Sequence, residues 1–165
     1  MLTSFIKTAC RNKMGIKAFT VFNLSVFYLI VSASANAQEQ DYARWKVVFK
    51  NTEGQNIILN CEVADTAYKQ QRGLMNRDHL DDDKGMIFVF KYPVRINFWM
   101  KNTKIPLSIA FIDAEGYILG VNEMQPYSLK KVTSFQKFQY AVEANSGWFK
   151  KNFIKAGTKV KFIKP

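Results

Sequence analysis

Apolar and polar residues alternate along Trp45-Lys46-Val47-Val48-Phe49 and Ile57-Ile58-Leu59-Asn60-Cys61-Glu62-Val63, the period-2 pattern of strands with one covered face. Asn51-Thr52-Glu53-Gly54 lies between them, with a glycine free to adopt a positive φ, so the two runs read as a hairpin. Asp65 or Thr66 can cap a short helix that Gly73 ends, and Leu74 to Lys84 reads as a polar loop carrying Asp81-Asp82-Asp83. From Met86 to Phe90 every position is apolar, which predicts a central strand covered on both faces. Val94 to Lys101 reads as a further strand with Ile96, Phe98 and Met100 toward the core and Arg95, Asn97, Trp99 and Lys101 opposite. A second hairpin joins Ile109–Ile112 to Tyr117–Val121 through Asp113-Ala114-Glu115-Gly116, and Gln139–Glu143 makes a short strand. Asn145 or Ser146 can cap a helix from about Gly147 to Phe153 that buries Trp148 and Ile154, or Phe149 and Phe153. Lys159–Ile163 then closes the chain as a strand. This order predicts a mainly β (α+β) domain: a small closed or half-closed antiparallel β-barrel with one or two short helices packed on it.

The N-terminus has a different character. Lys7, Arg11, Lys13 and Lys17 without any acid precede an apolar stretch from Ala18 to Val31, and Ala35-Asn36-Ala37 follows. Basic start, apolar stretch and small residues in the A-x-A pattern predict a cleaved export signal over residues 1–37. At 14 residues the apolar stretch is short of the ~20 that span a bilayer. Residues 38–44 then form a flexible leader and 45–165 a single domain. The expected location is outside the cytoplasm, periplasmic in a Gram-negative host and secreted otherwise.

Removing 37 of 165 residues leaves 128, with 20 basic against 13 acidic side chains, so the formal charge falls from +11 to +7. The excess gathers at the end: Lys130 to Pro165 holds nine lysines and one acid, Glu143. Such a stretch suits peripheral contact with an anionic surface, or serves as a solvated face. Nucleic acid is not an expected partner outside the cytoplasm. Cys61 is the one cysteine after residue 37, so no internal disulfide can form, and its alternation with Ile57, Leu59 and Val63 marks it as a buried small hydrophobe.

Little in the chain spells out catalysis or metal binding. His79 with Asp78, Asp81, Asp82 and Asp83 offers ligands, but counting from Asp81 the glycine falls at position five, not at the sixth position that a calcium loop needs. A structural zinc site needs several Cys or His ligands, and after residue 37 the chain has one of each. Met75, Met124 and His79 are soft donors for Cu(I), although the methionines do not cluster, and Met86 and Met100 suit core filling. No glycine-rich phosphate loop appears. No metal or cofactor is therefore expected. Asp113, ending a strand at the rim, is the acid available to a hydrolase working with Arg or Lys groups; its alternative role is to start the turn that Gly116 completes.

The densest chemistry lies in Asn97-Phe98-Trp99-Met100-Lys101-Asn102-Thr103. With Phe98 and Met100 assigned to the core, Trp99, Lys101, Asn102 and Thr103 remain, with Arg72, Arg77 and Arg95 as neighbours. An outward tryptophan beside a cation makes a stacking platform, and strand rims are where scaffolds place binding groups.

In combination, Ala64-Asp65-Thr66, Arg72-Gly73-Leu74-Met75, Gly85-Met86, Phe98-Trp99-Met100-Lys101-Asn102-Thr103 and Phe111-Ile112-Asp113 followed by Gly116 resemble the uncharacterised bacterial and archaeal family known as domain of unknown function 192. The resemblance runs from Val63 to Val160 and implies a compact β-rich, often exported domain without supplying a substrate. The triple Asp before Gly85 and the lysine-rich tail depart from the family's pattern. The expectation is an exported, monomeric binding or accessory domain of the cell envelope, serving a small molecule, glycan or envelope protein rather than acting as an enzyme. The alternatives are an envelope hydrolase using Asp113 and a Cu(I)-handling protein.

Overall fold

The computed structural model describes residues 42–165, so the expected export signal lies outside the described residues. The elements run β1 (Arg44–Lys50), β2 (Asn56–Ala64), α1 (Ala67–Arg72), β3 (Lys84–Val94), β4 (Leu107–Ile112), β5 (Ile118–Met124), β6 (Phe138–Asn145), α2 (Trp148–Lys151) and β7 (Val160–Ile163). Of the expected leader's described part, Tyr42 packs on the core and Arg44 opens β1.

Seven strands form one sheet in the order β5-β4-β6-β3-β2-β1-β7, with β3 in the middle as its unbroken apolar run predicts. The outer strands meet at one end. Tyr117 bridges Lys159, Ile118 N–H donates to the Thr158 carbonyl at 3.0 Å, and Val160 N–H donates to that of Gly116 at 2.8 Å. The result is a half-closed barrel with two short helices. It departs from the antiparallel expectation at one place, since β2 and β3 pair in parallel. The 19 residues 65–83 that join them contain α1, and a crossover of that length is what a parallel pair requires.

Alternation on the central strands, shifted only near Phe138, sorts their side chains into two buried clusters. Ile87, Val142, Ala144, Ala110, Leu59, Cys61 and Phe49 fill the barrel interior with Trp148, Phe149 and Ile154 from the α2 region. Phe49 meets both Trp148 and Phe149 edge-on, at 5.6 and 5.8 Å between ring centres. Met86, Phe88, Phe90, Leu107, Ile109, Phe111 and Phe138 point the other way. That outer face is covered by connections rather than strands: Leu74 and Leu80 from the β2–β3 crossover, and Met100 and Ile105 from the β3–β4 connection, are buried on it. At about 25 cal/mol per Å² of apolar area, each fully buried aromatic or aliphatic side chain contributes roughly 1.5–3 kcal/mol.

Two local expectations change. Val94–Lys101 is not a strand: β3 ends at Val94, just past Pro93, which has no N–H to continue the ladder. The chain lifts off the sheet, and Phe98 pairs instead with Val132. Phe98 and Met100 still reach the core, but Ile96 is left exposed. The last helix is a single turn without a side-chain cap. Ser146 Oγ donates to Glu123 Oε2 at 2.7 Å, and Gly147 N–H donates to Ser108 Oγ at 2.8 Å. The backbone turns at Gly147 in the left-handed region, at φ 78°, and Phe153 ends up exposed. The other cap follows expectation, with Thr66 accepting from Lys69 N–H at 3.3 Å and Gly73 ending α1 at φ 48°.

Candidate functional site

A cavity of about 570 Å³ opens between the outer face of the sheet and the two connections that cover it. Its sheet side is Phe88 and Phe90 of β3, Leu107 of β4 and Glu143 of β6; its outer walls are Gln70 to Met75 and Arg95 to Met100. Each wall is fixed by ordinary local forces. Gln70 Nε2 donates to the carbonyls of Ala64 and Val89 at 3.3 and 2.9 Å, tying α1 to β2 and β3. Phe98 packs edge-on to Phe88 at 5.0 Å and sits 5.8 Å from Phe111, anchoring the opposite wall.

Arg72 is half-buried on the first wall, and Trp99, 46% exposed, stands on the second. Arg95, Asn97 and Lys131 complete an exposed, cationic edge. Of the residues singled out from sequence, Arg72, Trp99, Thr103 and Met75 line this cavity. Thr103 is buried there with its hydroxyl donating to the Lys101 carbonyl at 3.2 Å. Lys101 and Asn102 stand beside it in an exposed turn, Asn102 at φ 55°.

The rest lie elsewhere. Arg77 forms a two-pronged pair with Glu62, at 2.9 and 2.5 Å, and the bond to Glu62 holds its guanidinium pKa above the usual value. Exposed His79 contacts Asp81 at 2.9 Å, and Met124 is in the outer-face core. Asp113 Oδ1 accepts from Tyr117 N–H at 2.7 Å, and Gly116 turns at φ 86°. Six residues along β4 from the cavity-lining Leu107, Asp113 is about 20 Å away at ~3.3 Å per residue. Cys61 is wholly buried, and burial pushes its thiol far up. Among the described residues no group of three or more His, Cys, Asp or Glu could hold a metal ion.

The residue that sequence reasoning passed over is Glu143. It alternates with Val142 and Ala144, which face the barrel interior, so its own side chain faces the cavity. It is 6% exposed, and burial in these apolar surroundings pushes its carboxyl up to about 8. A carboxyl among Phe88, Phe90 and Leu107 can donate a hydrogen bond when protonated, accept several when ionised, and hold a cation. Its signal in the sequence was a lone acid at the end of an apolar strand in the lysine-rich stretch from Lys130 to Pro165.

The comparisons agree with this architecture. A family model described as uncharacterised, that of domain of unknown function 192, matches residues 48–162. A solved protein of Sinorhizobium meliloti 1021, described as a candidate transcription regulator, is 30% identical over 75% of this chain and 97% of its own, with a TM-score of 0.73. A solved protein of unknown function from Novosphingobium aromaticivorans DSM 12444 is 32% identical over 70% of this chain and 83% of its own, with a TM-score of 0.67. Among curated proteins, none matches. With the family model matched from residue 48 to 162 and both solved relatives sharing the fold, the chain belongs to the family of domain of unknown function 192.

Proposed function

We propose that this chain is an exported binding domain of the cell envelope whose cavity takes an amphiphilic small molecule. The ligand's apolar body lies among Phe88, Phe90 and Trp99, a cationic or hydrogen-bond-donating end reaches Glu143, and a polar or anionic end stays at the Arg72 edge. The observation that carries this reading is Glu143, a carboxyl more than nine-tenths buried on the floor of an apolar cavity. An ionisable group costs several kcal/mol to bury without a partner, and a concave apolar site with a few convergent polar groups is the usual form of a ligand site.

Benzylamine and 4-(aminomethyl)benzoate are suitable probes, with benzoate as control, read by thermal denaturation. The two amines are expected to raise the Tm of the wild-type chain and to lose that effect in Glu143→Gln, while benzoate does nothing. Equal shifts in wild type and Glu143→Gln, or none with either amine, would overturn the reading.

A second reading has one observation in its favour. An acid held near pH 8 beside a cavity is poised for proton transfer, so an envelope hydrolase would use Glu143 in place of Asp113. In a screen of ester, amide and glycoside substrates it requires an activity that Glu143→Gln abolishes and Asp113→Asn leaves intact.

A further inference from the structure

The surface beside the cavity mouth is built from two segments, Lys91–Met100 and Gln125–Lys137, sewn together by backbone and side-chain hydrogen bonds. Phe98 and Val132 exchange bonds of 2.8 and 2.9 Å, and Met100 N–H donates to the Ser128 carbonyl at 2.8 Å. Thr133 Oγ1 donates to the Ile96 carbonyl at 2.6 Å. Six of the eleven large hydrophobic side chains exposed among the described residues stand on these segments: Tyr92, Ile96, Trp99, Tyr127, Leu129 and Phe135. Leu129 is 71% exposed and Phe135 96%. Tyr127 is held at φ 58°, a conformation unusual for a bulky side chain, with its N–H on the Thr103 carbonyl at 2.9 Å. Between them the segments carry Lys91, Arg95, Lys130, Lys131 and Lys137 and not one Asp or Glu.

We propose that this rim docks the domain on an anionic lipid bilayer. Contiguous exposed apolar side chains on a small domain mark an interaction surface, and the composition selects the partner. Protein–protein interfaces are depleted in lysine, whereas the headgroup layer accepts Trp, Tyr and Leu bodies and lets lysine heads reach the phosphates. Only anionic headgroups complement five cations without an acid among them. The rim draws on three of the nine lysines after residue 129; the other six lie on α2, on β7 and in the segments flanking β7. The proposal rests on exposure and charge at the rim, independently of what fills the cavity.

The test uses the full chain with vesicles of brominated phosphatidylcholine, alone or mixed with brominated phosphatidylglycerol. The readout is the part of the tryptophan emission that disappears in Trp99→Phe, which reports this rim and no other part of the chain. That emission is expected to be quenched by the mixed vesicles and not by phosphatidylcholine alone. Lys130→Gln with Lys131→Gln is expected to weaken vesicle affinity, read as the lipid concentration at half-maximal quenching, about 5-fold per lysine, about 25-fold for the pair. Leu129→Ser with Phe135→Ser, both on exposed side chains, is expected to weaken it at least as much with the Tm unchanged. Unquenched Trp99 emission, quenching equal in neutral and anionic vesicles, or quenching unaffected by both double variants would overturn the proposal. So would burial of these side chains in a dimer, seen as sedimentation at twice the chain mass without lipid.

Discussion

The main-chain carbonyl oxygen of Glu143 lies 2.5 Å from the place where a β-carbon on Gly85 would stand, and Leu59 Cδ2 lies 2.7 Å from it. Gly85 pairs with Cys61 of β2 on one side, and Glu143 belongs to β6 on the other. The missing side chain is therefore what lets β6 come close enough to bring Glu143 to the cavity floor. Gly85→Ala is expected to push β3 and β6 apart and to destabilise the fold by about 1–3 kcal/mol, the range for overpacking a core. A urea midpoint equal to that of wild type would refute this.

Glu143 should also leave its mark on stability against pH. In the unfolded chain its carboxyl titrates near the ordinary 4.5, while the fold holds the proton up to about 8. Between those values the folded state binds more protons than the unfolded one, so this group makes stability fall as pH rises through the window and level off above it. The slope is at most about 1.4 kcal/mol per pH unit. Glu143→Gln is expected to flatten the curve, so that its stability relative to wild type improves from acid to alkaline pH. Parallel curves for the two proteins would show that Glu143 is ionised throughout.

The two arginines singled out from sequence should part company. Arg77 and Glu62, whose side chains are 30% and 21% exposed, hold the β2–β3 crossover to the sheet, and hydrogen bonds to charged groups contribute roughly 1.5–3 kcal/mol. Arg77→Ala is expected to lower the Tm and leave the affinity for benzylamine unchanged. Arg72→Gln is expected to do the reverse, keeping stability within about 0.5 kcal/mol and weakening 4-(aminomethyl)benzoate, whose carboxylate is proposed to face the Arg72 edge, more than benzylamine. Calorimetric unfolding together with titration of both probes distinguishes them.

Adjacent aromatics divide in the same way. Phe98 is wedged against Phe88, Phe111 and Phe138, with ring centres 5.0 to 6.1 Å apart, and Phe98→Ala is expected to cost about 3–5 kcal/mol. Trp99, nearly half exposed, is expected to tolerate alanine within about 1 kcal/mol. A collapse of stability in Trp99→Ala would assign that residue to packing.

Most of the fold was legible from periodicity, because strands that bury one face write that face into the sequence. The hairpins ending at Val63 and starting at Ile109, the central position of Met86 to Phe90 and the closing strand all follow from it. What periodicity cannot specify is a strand's partner. Ile96, Phe98 and Met100 alternate as a strand should, yet the ladder stops at Val94, just past Pro93, and the segment finds Val132 instead of the sheet. The parallel β2–β3 pair was implicit in the helix expected between Val63 and Gly85, since a connection carrying a helix has room to cross over. The site was half legible: Arg72, Trp99 and Thr103 do face one cavity. Glu143 escaped because an acid next to Ala and Val looks like a strand end until three-dimensional packing shows that it is buried.

The division of labour around the cavity carries one more consequence. Its floor stands on β3, β4 and β6, where a change of register would disturb both buried clusters, but its walls are the two connections that cross over the sheet. Connections tolerate substitution and changes of length far better than paired strands do. Floor and walls can therefore change separately: a substitution or a change of length in either connection alters the frame around Glu143 and leaves in place the paired strands that carry it.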